Sequence, residues 1–213
     1  YALSQQIPVL QPISLRDEGF LAQLKAFQAD VQVVVAFRML PKVVWQMPRK
    51  GTFNLHASLL PDYRGAAPIN WAIIGGEATT GVTTFLIDEQ IDTGAILLRK
   101  EVAIAPRETA GTLHDKLMTV GADLVVETLA LIASDKAVPQ SQPKQVVEKS
   151  APKIHKETSH IPWEQSLAQI DRFVRGMSPY PTAWAQLHHE GETYAVKIYE
   201  ATPQEATHNL PIG

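Results

Sequence analysis

The chain contains no cysteine. That excludes disulfides, thiolate zinc sites and cysteine nucleophiles at once. It shows no amino-terminal signal-like segment and no apolar run long enough to cross a bilayer. It has no internal repeat, no low-complexity tract and no global excess of positive charge, the net charge being -3. Nothing in the bulk composition therefore advertises a nucleic-acid or membrane surface. No Gly-x-Gly-x-x-Gly turn follows a strand, so the usual dinucleotide fingerprint is missing. No grouping of His, Asp and Glu has metal-ligand spacing, and no metal is expected.

What remains is an ordinary globular balance. Of 213 residues, 45% are hydrophobic and 19% charged, enough for a sizeable core. The chain begins at Tyr1 and stops at Gly213 just after a strand-like run, which reads as an excerpt of a longer protein.

Hydrophobic periodicity organises the first two thirds. Ile7 to Leu10 reads as a short buried strand. Residues 17–28 carry Phe20, Leu21, Leu24 and Phe27 at helical spacing. Val31 to Phe37 is almost wholly apolar and β-branched, the pattern of a strand covered on both faces. A short helix is expected to open near Pro41, a strand over residues 51–56, and a helix from Pro68 that stops at Gly75-Gly76. Residues 81–88 and 95–104 read as strands of a hairpin. The longest helix is expected over residues 112–134, with Thr112 and Asp115 as its capping box and Leu113, Leu117, Val120 and Leu124 as its apolar stripe. Alternating strands and helices predict an α/β fold with a Rossmann-like, mainly parallel sheet.

Residues 135–151 have a linker composition, with Pro139, Pro143 and several Lys, Gln and Ser. A helix over about residues 164–176 and strands near 183–187 and 193–201 follow. The expected division is a catalytic domain over 1–150 and the start of a second domain over 151–213.

In an open α/β sheet, ligands bind beyond the carboxyl ends of the strands. One strand there ends in Asn54-Leu55-His56, and a later one runs into Asp88-Glu89-Gln90-Ile91-Asp92-Thr93-Gly94. Asn54 and His56 lie two apart, so on a strand they share a face. An Asn amide can donate to a developing oxyanion, and a His can move protons near neutral pH. A nearby carboxylate can orient that His. Taken singly, each residue also has a plainer explanation: His56 as a hydrogen-bonded structural residue, Asn54 and Asp92 as turn formers, Arg38 as a solvated charge. Asn, His and Asp without Ser or Cys suggest direct acyl transfer.

The stretch from Phe53 to Trp71, of the form N-x-H-x-S-L-L-P-x-Y-R-G-x-x-P, closely resembles the signature of the folate-dependent formyltransferases. Gly81-Val82-Thr83 and Ile91-Asp92-Thr93-Gly94 continue the resemblance, which covers about residues 7–201. It implies Asn54, His56 and Asp92 as the catalytic trio and 10-formyltetrahydrofolate as formyl donor, with no metal. It implies a donor site built from Phe37, Arg38, Met39 and Leu40, from Ser58, Leu59, Leu60 and Pro61, and from Asp88 and Glu89.

Beyond the linker, Lys156-Glu157 through Ile161-Pro162-Trp163, Arg172 to Gly176 and Ser178-Pro179-Tyr180-Pro181-Thr182-Ala183-Trp184 resemble the carboxyl domain of the methionyl-tRNA branch of that family. The resemblance implies a small β-barrel of the oligonucleotide-binding type and initiator methionyl-tRNA as acceptor. A monomeric, cytoplasmic, bacterial enzyme is expected, with an organellar form as the alternative. An amino-sugar or small-amine formyltransferase and an inactive folate-binding module are the alternatives. Charge does not add to the tRNA reading. Lys153, Lys156, Arg172, Arg175 and Lys197 are outnumbered by Glu157, Glu164, Asp171, Glu190, Glu192, Glu200 and Glu205.

Overall fold

In the computed structural model, residues 1–36, 39–143 and 149–206 are described. Helix α1 (Glu18–Ala26) opens on Asp17, whose side chain accepts from the Phe20 amide. Strand β1 (Gln32–Val35) follows, then the single-turn helix α2 (Lys42–Trp45) behind Pro41. Strand β2 (Thr52–His56) carries the first site residues. After the two-residue strand β3 (Arg64–Gly65), helix α3 (Pro68–Gly75) has Pro at its first position and stops at Gly76. Gly76 takes φ 77°, the left-handed conformation that ends helices and that glycine adopts without strain.

Strands β4 (Thr79–Leu86) and β5 (Ile96–Ala103) form the expected hairpin. Helix α4 (Ala110–Ala133) is the longest. Its capping box is Thr109 with Thr112, not Thr112 with Asp115, so the helix starts a turn earlier than the apolar stripe alone indicates.

The sheet order is β1-β2-β4-β5. β1 and β2 run parallel, with Val34 opposite Asn54 and Val35 opposite Leu55. β2 and β4 run antiparallel, with Asn54 opposite Phe85 and His56 opposite Thr83. Helices α3 and α4 bury Ile73, Leu113, Leu117 and Leu124 against Val82 and Val102, with Leu55 packed beside them. Leu55 therefore faces α4. By the two-residue alternation of a strand, Asn54 and His56 take the opposite face.

Two expectations for the amino-terminal part are corrected. Ile7 to Leu10 forms no strand, and Ile7 and Val9 lie exposed. β1 is not covered on both faces: Val33 and Val35 are exposed while Gln32 and Val34 are half-buried, and β1 is the edge strand of the described sheet.

The expected linker is not a free tether either. Gln140 exchanges two backbone hydrogen bonds with Ile96, both 2.8 Å. Strand β6 (Ser150–Ala151) pairs in parallel with β3. Polar composition cannot distinguish a solvated tether from a strap that hydrogen-bonds along a folded surface.

Helix α5 (Leu167–Met177) is capped by a Ser166–Gln169 box, and strands β7 (Ala183–His189) and β8 (Glu192–Ile198) form an antiparallel hairpin. Ile161, Phe173, Val174, Met177, Ala183 and Ala185 make a second core. It docks onto α3 and the start of α4. Asn70 Nδ2 donates to the Gly176 carbonyl at 2.7 Å, Arg175 to the Glu108 carbonyl at 2.8 Å, and the Gly111 amide to the Ser178 carbonyl at 3.0 Å. No helix among the described residues is long and apolar enough to cross a membrane.

Candidate active site

β2 delivers Asn54 and His56 on one face, and the loop after β4 brings Asp92 to them. His56 is buried, with 6% of its surface accessible. Its Nε2 lies 2.9 Å from the Tyr63 carbonyl. A carbonyl can only accept, so Nε2 carries the hydrogen and Nδ1 is the basic nitrogen of the neutral ring. Nδ1 stands 3.8 Å from Asp92 Oδ2. That is too long for a direct hydrogen bond, yet close enough for the carboxylate to face any charge formed on the ring. Phe85 closes another side with an edge-on contact, its ring centre 6.5 Å from that of His56.

Residue chemistry alone leads one to expect a nearby carboxylate to orient His56. In the structure the Tyr63 carbonyl fixes the ring, and Asp92 is fixed in turn by the Gly65 amide, which donates to Oδ2 at 2.9 Å. Tyr63 takes φ 58° and Asp92 φ 55°, left-handed conformations that side-chain-bearing residues hold only where their surroundings impose them. Gly65, at φ 126°, lies so close to β6 that an added Cβ would meet the Ala151 carbonyl oxygen at 2.4 Å. Tyr63 and Gly65 act through backbone groups. Residue type alone did not mark them out; the only signal was their place inside the Asn54–Gly65 motif.

Asn54 Oδ1 is buried and has no hydrogen-bond partner among the described residues. An unmatched buried polar atom costs about 1–3 kcal/mol, so such groups point to a function or a ligand. Oδ1 can only accept, so a ligand N–H or O–H would relieve that cost, while the Nδ2 hydrogens of the same amide are the group able to donate to a carbonyl under attack.

The segments expected to hold the donor divide into two kinds. Ser58 and Leu60 have wholly buried side chains. Ser58 Oγ donates to the Asp62 carbonyl at 2.6 Å. Thr83 Oγ1 donates to the Ser58 carbonyl at 2.7 Å and accepts from the Leu60 amide at 3.2 Å. Arg99 donates to the Leu60 carbonyl at 3.1 Å. These side chains build the floor and do not face outward, while Leu59 and Pro61 are half-buried.

Met39 is 79% exposed and Leu40 half-buried. Phe37 and Arg38 lie outside the described residues. Asp88 and Glu89 sit in the exposed loop after β4. Asp88 accepts from the Gln90 amide and the Thr93 hydroxyl, and Glu89 pairs with Lys42 of α2.

A second polar cluster braces the floor. Tyr63 Oη donates to Glu77 at 2.7 Å, and Lys149 pairs with the same carboxylate at 2.8 Å. Burial, then the bond to Glu77, push the Tyr63 hydroxyl well above its usual titration range. Burial pushes Glu77 up, but the bonds from Lys149 and Tyr63 outweigh it and leave the carboxyl below its ordinary value.

An amide with an unpartnered oxygen, a histidine with one free nitrogen and a facing carboxylate are groups that can move a proton and stabilise a developing oxyanion. Residues 2–129 match the model of the formyl transferase family, and residues 153–213 match that of its C-terminal domain. The chain belongs to the formyl transferase family. It is 54% identical to the methionyl-tRNA formyltransferase of Flavobacterium johnsoniae over its whole length, covering 68% of that protein. It is 55% identical to the methionyl-tRNA formyltransferase of Parabacteroides distasonis, again over its whole length and 67% of that protein. The fold is also similar to HypX from Aquifex aeolicus in complex with tetrahydrofolic acid: TM-score 0.67, 22% identity, 81% of this chain and 29% of that one.

Proposed function

We propose that this chain transfers the formyl group of 10-formyltetrahydrofolate to the amino group of initiator methionyl-tRNA. One observation carries the reading of the site. The Asn54 amide, whose Oδ1 is buried without a partner, lies on the same strand face as His56, whose free Nδ1 faces Asp92.

The acceptor amine attacks the formyl carbon, and Asn54 donates from its amide nitrogen to the oxygen as negative charge gathers there. One such donor is worth about 3 kcal/mol of barrier. A new C–N bond forms to the methionyl nitrogen, the bond from the formyl carbon to the folate nitrogen breaks, and the oxygen returns to a carbonyl. The amine loses one proton and the departing folate nitrogen gains one. His56 Nδ1 carries that proton between them, directly or through water, while Nε2 stays bound to the Tyr63 carbonyl. Asp92 faces the charged ring during this interval.

The donor is held by residues 37–40, 58–61 and 88–89. Since the Ser58 and Leu60 side chains are buried and their bonded backbone groups are held by Thr83 and Arg99, their segment contributes the surfaces of Leu59 and Pro61. The residues present fit a donor that needs no metal. Residues 1–150 form the catalytic domain and 151–213 the start of a tRNA-contacting domain, in a cytoplasmic bacterial enzyme that acts as a monomer.

The test is to give the full-length protein 10-formyltetrahydrofolate and either methionyl initiator tRNA or a nucleotide-linked amino sugar. Formylmethionyl-tRNA is the expected product. Formylation of the sugar but not the tRNA would replace the acceptor. Folate binding with no transfer to either would leave only a folate-binding module.

A further inference from the structure

One side chain of the strap between the two lobes ends inside the site. Gln142 Nε2 donates to the Asp92 carbonyl at 3.0 Å and to the Gly94 carbonyl at 2.8 Å. Its Oε1 accepts from Arg64 Nη2. A single amide thus joins the turn that carries Asp92 to the residue beside Gly65, whose own amide holds the Asp92 carboxylate.

The turn needs such a fastening. Asp92 is left-handed at φ 55°, and Gly94 is pressed so closely on β4 that an added Cβ would meet the Leu86 carbonyl oxygen at 1.7 Å. Asp92 has no side-chain bond to His56 to keep it in place, the gap being 3.8 Å.

The strap itself does not depend on Gln142. Gln140 is tied to Ile96 by two backbone bonds. The Lys149 carbonyl accepts from the Tyr63 amide at 2.8 Å, and the Ala151 carbonyl accepts from the amides of Ala66 and Ala67 at 2.7 and 3.2 Å. Among the described residues, what the Gln142 side chain adds goes to Arg64, Asp92 and Gly94.

We propose that Gln142 is a positioning residue for formyl transfer: its amide sets the backbone of Asp92, and through it the approach of the carboxylate to His56. The inference rests on the roles given above to His56 and Asp92. It also ties the chemistry to the strap that leads into the second lobe, which sequence composition marks only as a linker.

The test compares the full-length protein with its Gln142→Ala, Gln142→Glu and His56→Ala variants, using 10-formyltetrahydrofolate and methionyl initiator tRNA. In Gln142→Ala, kcat is expected to fall about ten- to a hundredfold, since a displacement near 1 Å at a reacting group can cost that much. KM for the donor should stay within about threefold, because the loss falls on the transfer step and not on donor binding.

Gln142→Glu has nearly the same shape and supplies a second variant should the alanine protein not fold. It keeps an acceptor for Arg64 and loses both donors, so its kcat should fall at least as far. Near-native kcat in Gln142→Glu would show that only the Arg64 contact matters and overturn the proposal. So would a fall in kcat that merely follows the loss of folded protein, or a rise in KM at unchanged kcat. If transfer needs His56 yet both Gln142 variants are native, the positioning role alone fails. If the native protein transfers nothing, the functional reading fails and takes the positioning role with it.

Discussion

Two segments face each other at this site, and they are held in opposite ways. Residues 58–67 are fixed from below by buried hydrogen bonds: Thr83 to Ser58 and Leu60, Arg99 to Leu60, and β6 to β3. Residues 88–93 lie mostly in solvent, closed on themselves by Asp88 with Gln90 and Thr93 and linked outward by an exposed Lys42–Glu89 pair. Ile91 between them is 63% exposed. The first segment keeps geometry; the second leaves a way in. Asp92 belongs to the second by sequence but is fastened to the first through Gly65. A fixed carboxylate can thus coexist with an exposed loop around it.

Perturbations should separate the two sides in order of size. The largest effect is expected where the fixed side meets the chemistry. His56→Ala should lower kcat roughly a hundred- to ten-thousandfold, with donor affinity measured by calorimetry nearly unchanged. A comparable loss of donor affinity would mean that His56 builds the pocket and moves no proton.

Next comes the floor. Thr83→Val keeps the shape and deletes a hydroxyl that serves two buried backbone groups of residues 58 and 60. It should cost about 1–3 kcal/mol in denaturant unfolding. A neutral result would mean that the floor is held by packing alone.

The brace gives a smaller, pH-dependent effect. Glu77 is held below its ordinary carboxyl value of 4.5, so its contribution is fully present above that pH and is lost as pH falls through the folded-state value. Tyr63 is shifted upward, so its contribution is present below its ordinary value of 10.0 and is lost as pH rises through the higher folded-state value. Thermal unfolding scanned against pH should show both limbs, and Glu77→Gln should flatten the acid one. An unchanged acid limb would assign it to other carboxylates.

The smallest effect is expected on the loop. Lys42→Ala removes an exposed ion pair and should leave Tm unchanged at physiological salt. A clear drop would show that the loop side carries stability after all.

Much of this was legible in the sequence, for identifiable reasons. Period and punctuation placed β2, α3, the β4–β5 hairpin and α5, because each has a local apolar pattern with a clear stop such as Gly76. That Asn54 and His56 share a strand face was readable because strand alternation is local. Other features were not local and escaped. Val33 and Val35 look like core residues, since exposure of an apolar strand depends on what lies over it. The hold on His56 is a carbonyl, and the hold on Asp92 is an amide; every residue has these, so neither leaves a mark in sequence. The polar composition of residues 135–151 concealed Gln142 because its partners lie about fifty and eighty positions away.

The central claim is that Asn54 and His56 act together in one transfer step, and a double-mutant cycle on kcat tests it most directly. Single-turnover formyl transfer would be measured for the native protein, Asn54→Ala, His56→Ala and the double variant at saturating donor. The account predicts that the double variant loses little more than the worse single one, as groups acting as a unit do. Fully additive losses, or a double variant that retains native transfer, would contradict it.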